Sequence, residues 1–474
     1  MNIDLGAPLI AELALFALAV VVLIVGLIQQ GDPHRRIGWL SLVGVLGVFG
    51  LTFVAEEGRS LLGESVVQDS LALFAKRLFI VATAISLLGS LTLTHVNFVR
   101  RSAEYHFALL ASLLGMMVLA SARDLILIFV AFELMSIPLY VMTGFLKQDE
   151  VASEAALKFF LVGTASSAVI AYGMSFIFGA TGSTAIETIP AALADGQPVM
   201  LLGMALLLAG LGFKIAAFPF HMWAPDAYEA ASTPFVAWLA VAPKAAGFIA
   251  ILRLYVEGFG STALIWLPLV SIIAGMTIVT GNLMAIPQQN IKRLLAYSGI
   301  AHIGYMLLGL AAFSSSGVAM MLFYLVAYLF GNMGAFMVVE AVARSEQSDG
   351  IDAYAGLAQR SPVLALSMLI FLLSLGGIPF VAGFWAKLYV FWAAIERGLY
   401  GLVFLGAVLT VVALYYYLLV ARQMYIEAPR RTEPVPVPPL LGAAIALCVL
   451  GVVGIGVYPG PWVEMALRVA EGLF

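Results

Sequence analysis

Charge and cysteine are both scarce in this chain. Of 474 residues only 11% are charged, against about 25% in a soluble domain. A surface that poor in charge faces lipid, not water. The net charge of −4 gives no reason to expect nucleic acid as a partner. One cysteine, Cys448, cannot form an internal disulfide, and it cannot hold an iron–sulfur cluster or a structural zinc site. No phosphate-binding GxxxxGK[ST] loop, HExxH metal motif or pair of haem ligands occurs. No cofactor is therefore expected in this chain, and any electron transfer belongs to other subunits. The N-terminus carries Asp4 and Glu12 in place of the basic start of a cleaved signal, so the first apolar run reads as a membrane helix.

What the chain does have is apolar length. Hydrophobic residues make up 63% of it, in runs near the 20 or so residues that cross a bilayer. Fourteen such runs are expected: 8–28, 37–54, 70–94, 105–121, 124–146, 152–181, 198–220, 233–256, 263–287, 291–311, 316–343, 362–395, 399–422 and 437–459. The fold class is an all-α polytopic membrane protein. Loops after the odd-numbered runs hold Arg35, Arg36, Arg100, Arg101, Lys147, Lys292, Arg293, Arg344, Arg360, Arg422, Arg430 and Arg431. The opposite side holds Arg59, Arg123, Arg397 and Arg468, with Lys76, Arg77 and Arg253 near helix ends. Basic residues favour the cytoplasmic side, which places both termini outside.

Two runs are broken. Pro219 follows Lys214 in the seventh, and Gly376-Gly377-Ile378-Pro379 precedes Lys387 in the twelfth. Proline removes a helix hydrogen bond, and exposed backbone at membrane depth survives only inside protein or beside a wet cavity. Interrupted helices in matching halves mark the transport site of inverted-repeat transporters. One membrane domain, 1–474, is expected: N-terminal helices 1–3 over 1–100, repeat one (helices 4–8) over 101–256, repeat two (helices 9–13) over 257–423, and helix 14 with a tail over 424–474.

Four of the seven lysines, Lys158, Lys214, Lys244 and Lys387, fall inside expected helices, as does Glu133; arginine is missing at these depths. A charge at the bilayer centre costs about 2.5–3.5 kcal/mol on insertion scales, so these residues face a hydrated interior or pair with one another. Lysine suits proton transfer because burial can bring it toward neutrality, whereas arginine stays charged. The bland alternatives are snorkelling to an interface and static pairing, with Glu133 a structural counter-ion of Lys214. His302 can take and give a proton near neutral pH and is a candidate bridge, although a membrane histidine can also be a hydrogen-bonded packing residue. Ser298, one turn away, can order a water. His221 follows the first break, and Pro138, Pro219 and Pro379 shape the helices that carry these groups. Glu104, His106 and Glu340 read as interfacial. Tyr415, Tyr416, Tyr417, Trp223 and Trp385 read as packing or interfacial aromatics.

The stretch Phe218-Pro-Phe-His-Met-Trp-Ala-Pro-Asp-Ala-Tyr-Glu-Ala-Ala-Ser-Thr-Pro234 resembles the signature after helix 7 in subunit N of bacterial respiratory complex I. So do Glu154-Ala-Ala-Leu-Lys-Phe-Phe160, Ala242-Pro-Lys-Ala-Ala246, Lys292-Arg-Leu-Leu-Ala-Tyr-Ser298 and Gly383-Phe-Trp-Ala-Lys-Leu388, in family order. The resemblance implies a fourteen-helix antiporter-like subunit of NADH:quinone oxidoreductase in a bacterial plasma membrane. Its proton axis would run through Glu133, Lys214, Lys244, His302 and Lys387, with Lys158 a further polar position. Flavin, iron–sulfur clusters and quinone would lie in partner subunits, and related antiporter-like subunits would be neighbours. The chain departs from that pattern at Ala230, where the family usually has Gly, and at Ser232, where it usually has Pro. A cation/proton antiporter subunit working without electron transfer is the alternative, and a bare structural scaffold the blandest reading.

Overall fold

A computed structural model of the chain describes residues 9–28, 34–146, 148–194 and 198–474. Lys147, used above for orientation, and the extreme N-terminus with Asp4, used above for the signal reading, lie outside the described residues. Twelve helices among the described residues are long and apolar enough to cross a membrane; two more apolar helices, Pro198–Lys214 and Pro362–Gly376, are shorter. The short pair are the front halves of the two runs expected to break. Large apolar side chains such as Leu27, Ile28, Leu264, Phe404 and Val411 stand exposed, as a lipid-facing surface requires and a water-facing one would not tolerate.

Local chemistry sets where the helices start and stop. Asp69, Asp124, Asp149, Asn290 and Ser314 cap their helices by accepting backbone N–H bonds with their side chains, a contribution of about 1 kcal/mol each. Pro138 sits inside the continuous Leu125–Thr143 helix. At the other extreme, the Pro198–Lys214 helix stops at Lys214. Ala216 beyond it adopts φ 58°, and Pro219 disfavours helical backbone at the residue before it.

The chain forms two compact units. The first comprises 1–215, 242–266 and 471–474. In it the long Glu150–Thr181 helix packs along Pro198–Lys214, and Ser102–Ser121 packs on Leu125–Thr143. A short antiparallel hairpin, Arg59–Leu61 with Val66–Gln68, precedes the Ser70–Ser90 helix. The Ala242–Ile251 helix continues as a π-helical turn over Leu252–Gly258. The second unit comprises 216–241 and 267–470. Its Ile291–Ala311 helix is buried along its length except at Arg293 and packs against Ser315–Glu346. The twelfth run is split there into Pro362–Gly376 and Ala382–Glu396. Beyond Pro439–Val457 the expected tail is an amphipathic helix, Gly460–Glu471.

Candidate functional site

In the first unit Lys214 is 1% exposed. Its ammonium donates to the Ser136 hydroxyl at 2.8 Å and lies 5.2 Å from the centre of the Phe132 ring. Glu133, between those two residues on the same helix, is half-buried and within electrostatic range of Lys214. The Ser167 hydroxyl donates to the Glu133 carboxylate. Lys244 is likewise 1% exposed. It lies one helical turn from Gly247, and residues three apart share a helix face. A Cβ at Gly247 would sit 2.7 Å from Ile215 and 3.6 Å from the Lys214 stem. The missing side chain is what lets these two lysine-bearing segments approach.

The second unit repeats the theme with different partners. The Pro362–Gly376 helix ends at Gly377, whose φ of 83° is left-handed and whose N–H bonds back to Leu373 and Ser374. That ending leaves carbonyls of the last turn without helical partners. Lys387 takes two of them, donating to the Leu375 oxygen at 2.9 Å and the Gly376 oxygen at 3.2 Å. A positive charge is favoured at a helix C-terminus, so the break itself is the counter-ion. The ammonium also lies 4.9 Å from the centre of the Tyr305 ring, and Lys387 is 4% exposed.

His302, on the buried Ile291–Ala311 helix, has both ring nitrogens engaged: Nδ1 with the Tyr324 hydroxyl at 2.7 Å and Nε2 with the Tyr417 hydroxyl at 3.4 Å. Ser298 hydrogen-bonds Tyr417 too. Tyr416 donates to Asn282 at 3.1 Å, and Asn282 donates to Tyr305 at 3.4 Å. Of the two readings the sequence left open for Tyr416 and Tyr417, packing and interfacial, the structure takes the first and adds to it: they are buried hydrogen-bonding members of the His302 surroundings. Tyr415 is exposed.

Several expected positions fall elsewhere. Lys158 is not buried: its side chain is 51% exposed and pairs with Glu154 at 2.8 Å, one turn away. The outward phase of its helix, not its depth in the run, decides this. His221 is part-buried and stacks on Phe218; Pro379 is exposed. His106 is fully buried and engaged with Ser102, not interfacial.

Two buried ionic clusters in the first unit carried little sequence signal. Lys76, read as a charge near a helix end, is fully buried and pairs with Glu12 at 2.7 Å. Arg253 is also fully buried, with two bonds to Asp69, one to Glu257 and two to the Ala120 carbonyl. Burial alone would raise the Asp69 carboxyl, but the adjoining Arg253 guanidinium, the Ala72 N–H and Arg123 together hold it below the usual carboxylate range. Asp69 precedes its helix by one residue, whereas Arg253 comes from a helix far along the chain; only tertiary structure joins them.

Buried lysines beside helices that break within apolar runs, in a molecule made of membrane-length helices, define an antiporter-like polytopic membrane subunit. A family model of the membrane-spanning part of NADH:quinone oxidoreductase and Mrp antiporters matches residues 122–413. The chain is 40% identical to NADH-quinone oxidoreductase subunit N of Heliobacterium modesticaldum across the full length of both. It is 40% identical to that of Moorella thermoacetica over 98% of each. The chain belongs to the subunit N family of NADH-quinone oxidoreductase. A chain of respiratory complex I from Thermus thermophilus, 32% identical, superposes with a TM-score of 0.82 and covers 96% of this chain and 99% of its own. A chain of the Mrp complex from a Dietzia species, 21% identical, shares the fold, with a TM-score of 0.85 over 100% and 98%.

Proposed function

We propose that this chain moves protons across a bacterial plasma membrane as a non-redox subunit of NADH:quinone oxidoreductase. Electrons would pass through flavin, iron–sulfur clusters and quinone held by partner subunits, and other antiporter-like subunits would adjoin this one in the bilayer. Both termini would face outward, and helices 4–8 and 9–13 would form inverted repeats. The observation that carries the reading is a buried lysine beside a helix break in each unit, at Lys214 and at Lys387.

In the first unit Ser136 accepts a bond from the Lys214 ammonium, and the Glu133 carboxylate attracts that charge. Withdrawing Glu133 from the lysine weakens that hold and lets the proton pass on, with Lys244 the next buried base. In the second unit His302 has hydroxyl partners on both nitrogens, so it can gain a proton at one and lose it at the other. Lys387 is then the terminal base, held by backbone oxygens. Pro138 and Pro219 shape the backbone around the first lysine, and Pro379 follows the break beside the second. Lys158, exposed and paired with Glu154, is peripheral to this arrangement.

Glu133→Gln or Lys214→Met in the assembled complex should impair turnover or the protons moved per NADH. Lys158→Met is the comparison, with a smaller effect. Unchanged pumping and turnover in both buried variants would overturn the reading. The family model also covers Mrp antiporters, so cation/proton exchange without electron transfer is the second reading. Purification through a tag on this chain separates the two: flavin, iron–sulfur subunits and quinone reductase activity on one side, cation/proton exchange in vesicles without them on the other.

A further inference from the structure

Between His302 and Lys387 of the second unit lies a residue that neither the sequence nor the reading above uses. Tyr305 is 1% exposed and sits one turn after His302 on the same helix. Its ring meets the His302 imidazole edge-on, with centroids 6.1 Å apart, and offers its face to the Lys387 ammonium at 4.9 Å. One aromatic ring therefore touches both the histidine and the lysine.

The hydroxyl of that ring is fully committed. It donates to the Gly406 carbonyl at 3.3 Å and accepts from Asn282 at 3.4 Å; the single hydrogen of Thr410, 3.2 Å away, is shared between this oxygen and the same carbonyl, which it reaches at 2.9 Å. Proton relay through a hydroxyl requires it to accept one proton while passing on its own. A phenol whose hydrogen is tied to a backbone carbonyl that takes up no proton has nothing to pass on. The ring itself offers no lone pairs to a chain of waters.

We propose that Tyr305 is a positioning residue that gates proton exchange between His302 and Lys387, closed by its three hydroxyl anchors and by the lysine's own charge. The inference rests on the proton-transfer reading above. A cation over an aromatic face is attracted to it, so protonated Lys387 holds the ring in place. Once Lys387 has given up its proton that attraction disappears, and only the hydroxyl anchors remain. The ring can then swing aside, admit a water between imidazole and amine, and let His302 pass its proton to Lys387. The returned positive charge draws the ring back. An imidazole nitrogen gives its proton to the water as its tyrosine contact yields, and the water gives one of its own protons to the lysine amine, so the water is regenerated and one proton has moved. Tyr305 thus lets the lysine reload only when it is empty.

The decisive variant is Tyr305→Phe, which keeps the ring and releases the anchors. It is suited to folding, because both side-chain donors keep a backbone partner: Thr410 also bonds Gly406 at 2.9 Å, and Asn282 also bonds Ile278 at 2.8 Å. Inverted membrane vesicles holding the assembled complex are assayed for protons moved per NADH and for passive proton leak without substrate. Each anchor lost, at about 1 kcal/mol, makes the open ring about fivefold more populated, so in Tyr305→Phe leak should rise at least fivefold and protons per NADH should fall. Thr410→Val, removing one anchor while sparing the ring, should shift both in the same direction by less. Should Tyr305→Phe fail to assemble, Thr410→Val decides. Native leak and native protons per NADH in whichever variant assembles would overturn the gate. Lys387→Met in the same vesicles separates the two ideas: if it pumps natively the proton-transfer reading has failed, and if it alone is impaired only the gate has.

Discussion

Replacing Gly377 with alanine tests the claim that a helix ending is the counter-ion of Lys387. Gly377 has φ 83° and ψ 37°, a left-handed geometry that costs an alanine about 1–2 kcal/mol. The new Cβ would also lie 2.9 Å from Cδ of Lys387, too close for either atom to stay. Moving Cδ draws the ammonium off the Leu375 and Gly376 oxygens, each a charged hydrogen bond of about 1.5–3 kcal/mol. Two penalties of different origin therefore add. The first belongs to the backbone alone, and the second exists only while a lysine is present. A double-mutant cycle with Lys387→Met separates them, because the coupling between touching residues is commonly about 0.5–3 kcal/mol. Thermal unfolding of the purified complex should show a loss of a few degrees for Gly377→Ala, and a smaller loss when Lys387→Met is already in place. Pumping should fall in the single variant. Equal losses of stability in the two backgrounds would refute the argument, since the cost would then be backbone strain and nothing more.

Two further outcomes follow from residues outside the lysine sites. Ser232 adopts φ −62° and ψ 136°, within the range proline imposes, and Ala231 before it is extended. Ser232→Pro should therefore be tolerated and should stabilise the complex by about 0.4–1 kcal/mol, read as a higher Tm; a lower Tm would show that the loop needs the serine. Asp69→Asn strips the buried Arg253 of its bidentate partner, a change of about 3–5 kcal/mol at neutral pH. Because the native carboxyl is held low, its contribution is complete above the unfolded value of about 3.9 and disappears as pH falls through the lower folded one. Stability curves of native and variant complexes should accordingly converge in that acid window; a constant gap down to the lowest pH would sink the assignment.

The sequence carried what is local. Apolar length located the helices, and Pro219 with Gly376-Gly377-Ile378-Pro379 located the breaks, because proline and left-handed glycine act within a turn of themselves. The depth of Lys214, Lys244 and Lys387 was readable for the same reason. The helical phase of a residue was not. Lys158 lies inside its run as the buried lysines do, yet points outward, and the one local mark of that face is Glu154 a turn before it. Partners drawn from distant helices were equally hidden. Lys76 looked like an end-flanking charge until Glu12, from another helix, covered it. Tyr416 and Tyr417 looked like packing aromatics until the fold brought them to Asn282 and His302.

The oxygens that hold Lys387 belong to peptide groups, and those near Lys214 include a carboxylate. A carboxylate can be discharged by acid, by a passing cation or by substitution; a peptide carbonyl keeps its dipole whatever the medium does. The Glu133 neighbourhood therefore behaves as an adjustable bias, open to tuning by mutation or by ionic conditions. The Gly376 neighbourhood is a fixed reference, altered only by rebuilding the chain's path. Selection or engineering that retunes this subunit has a single-residue handle in the first unit and must reshape backbone in the second.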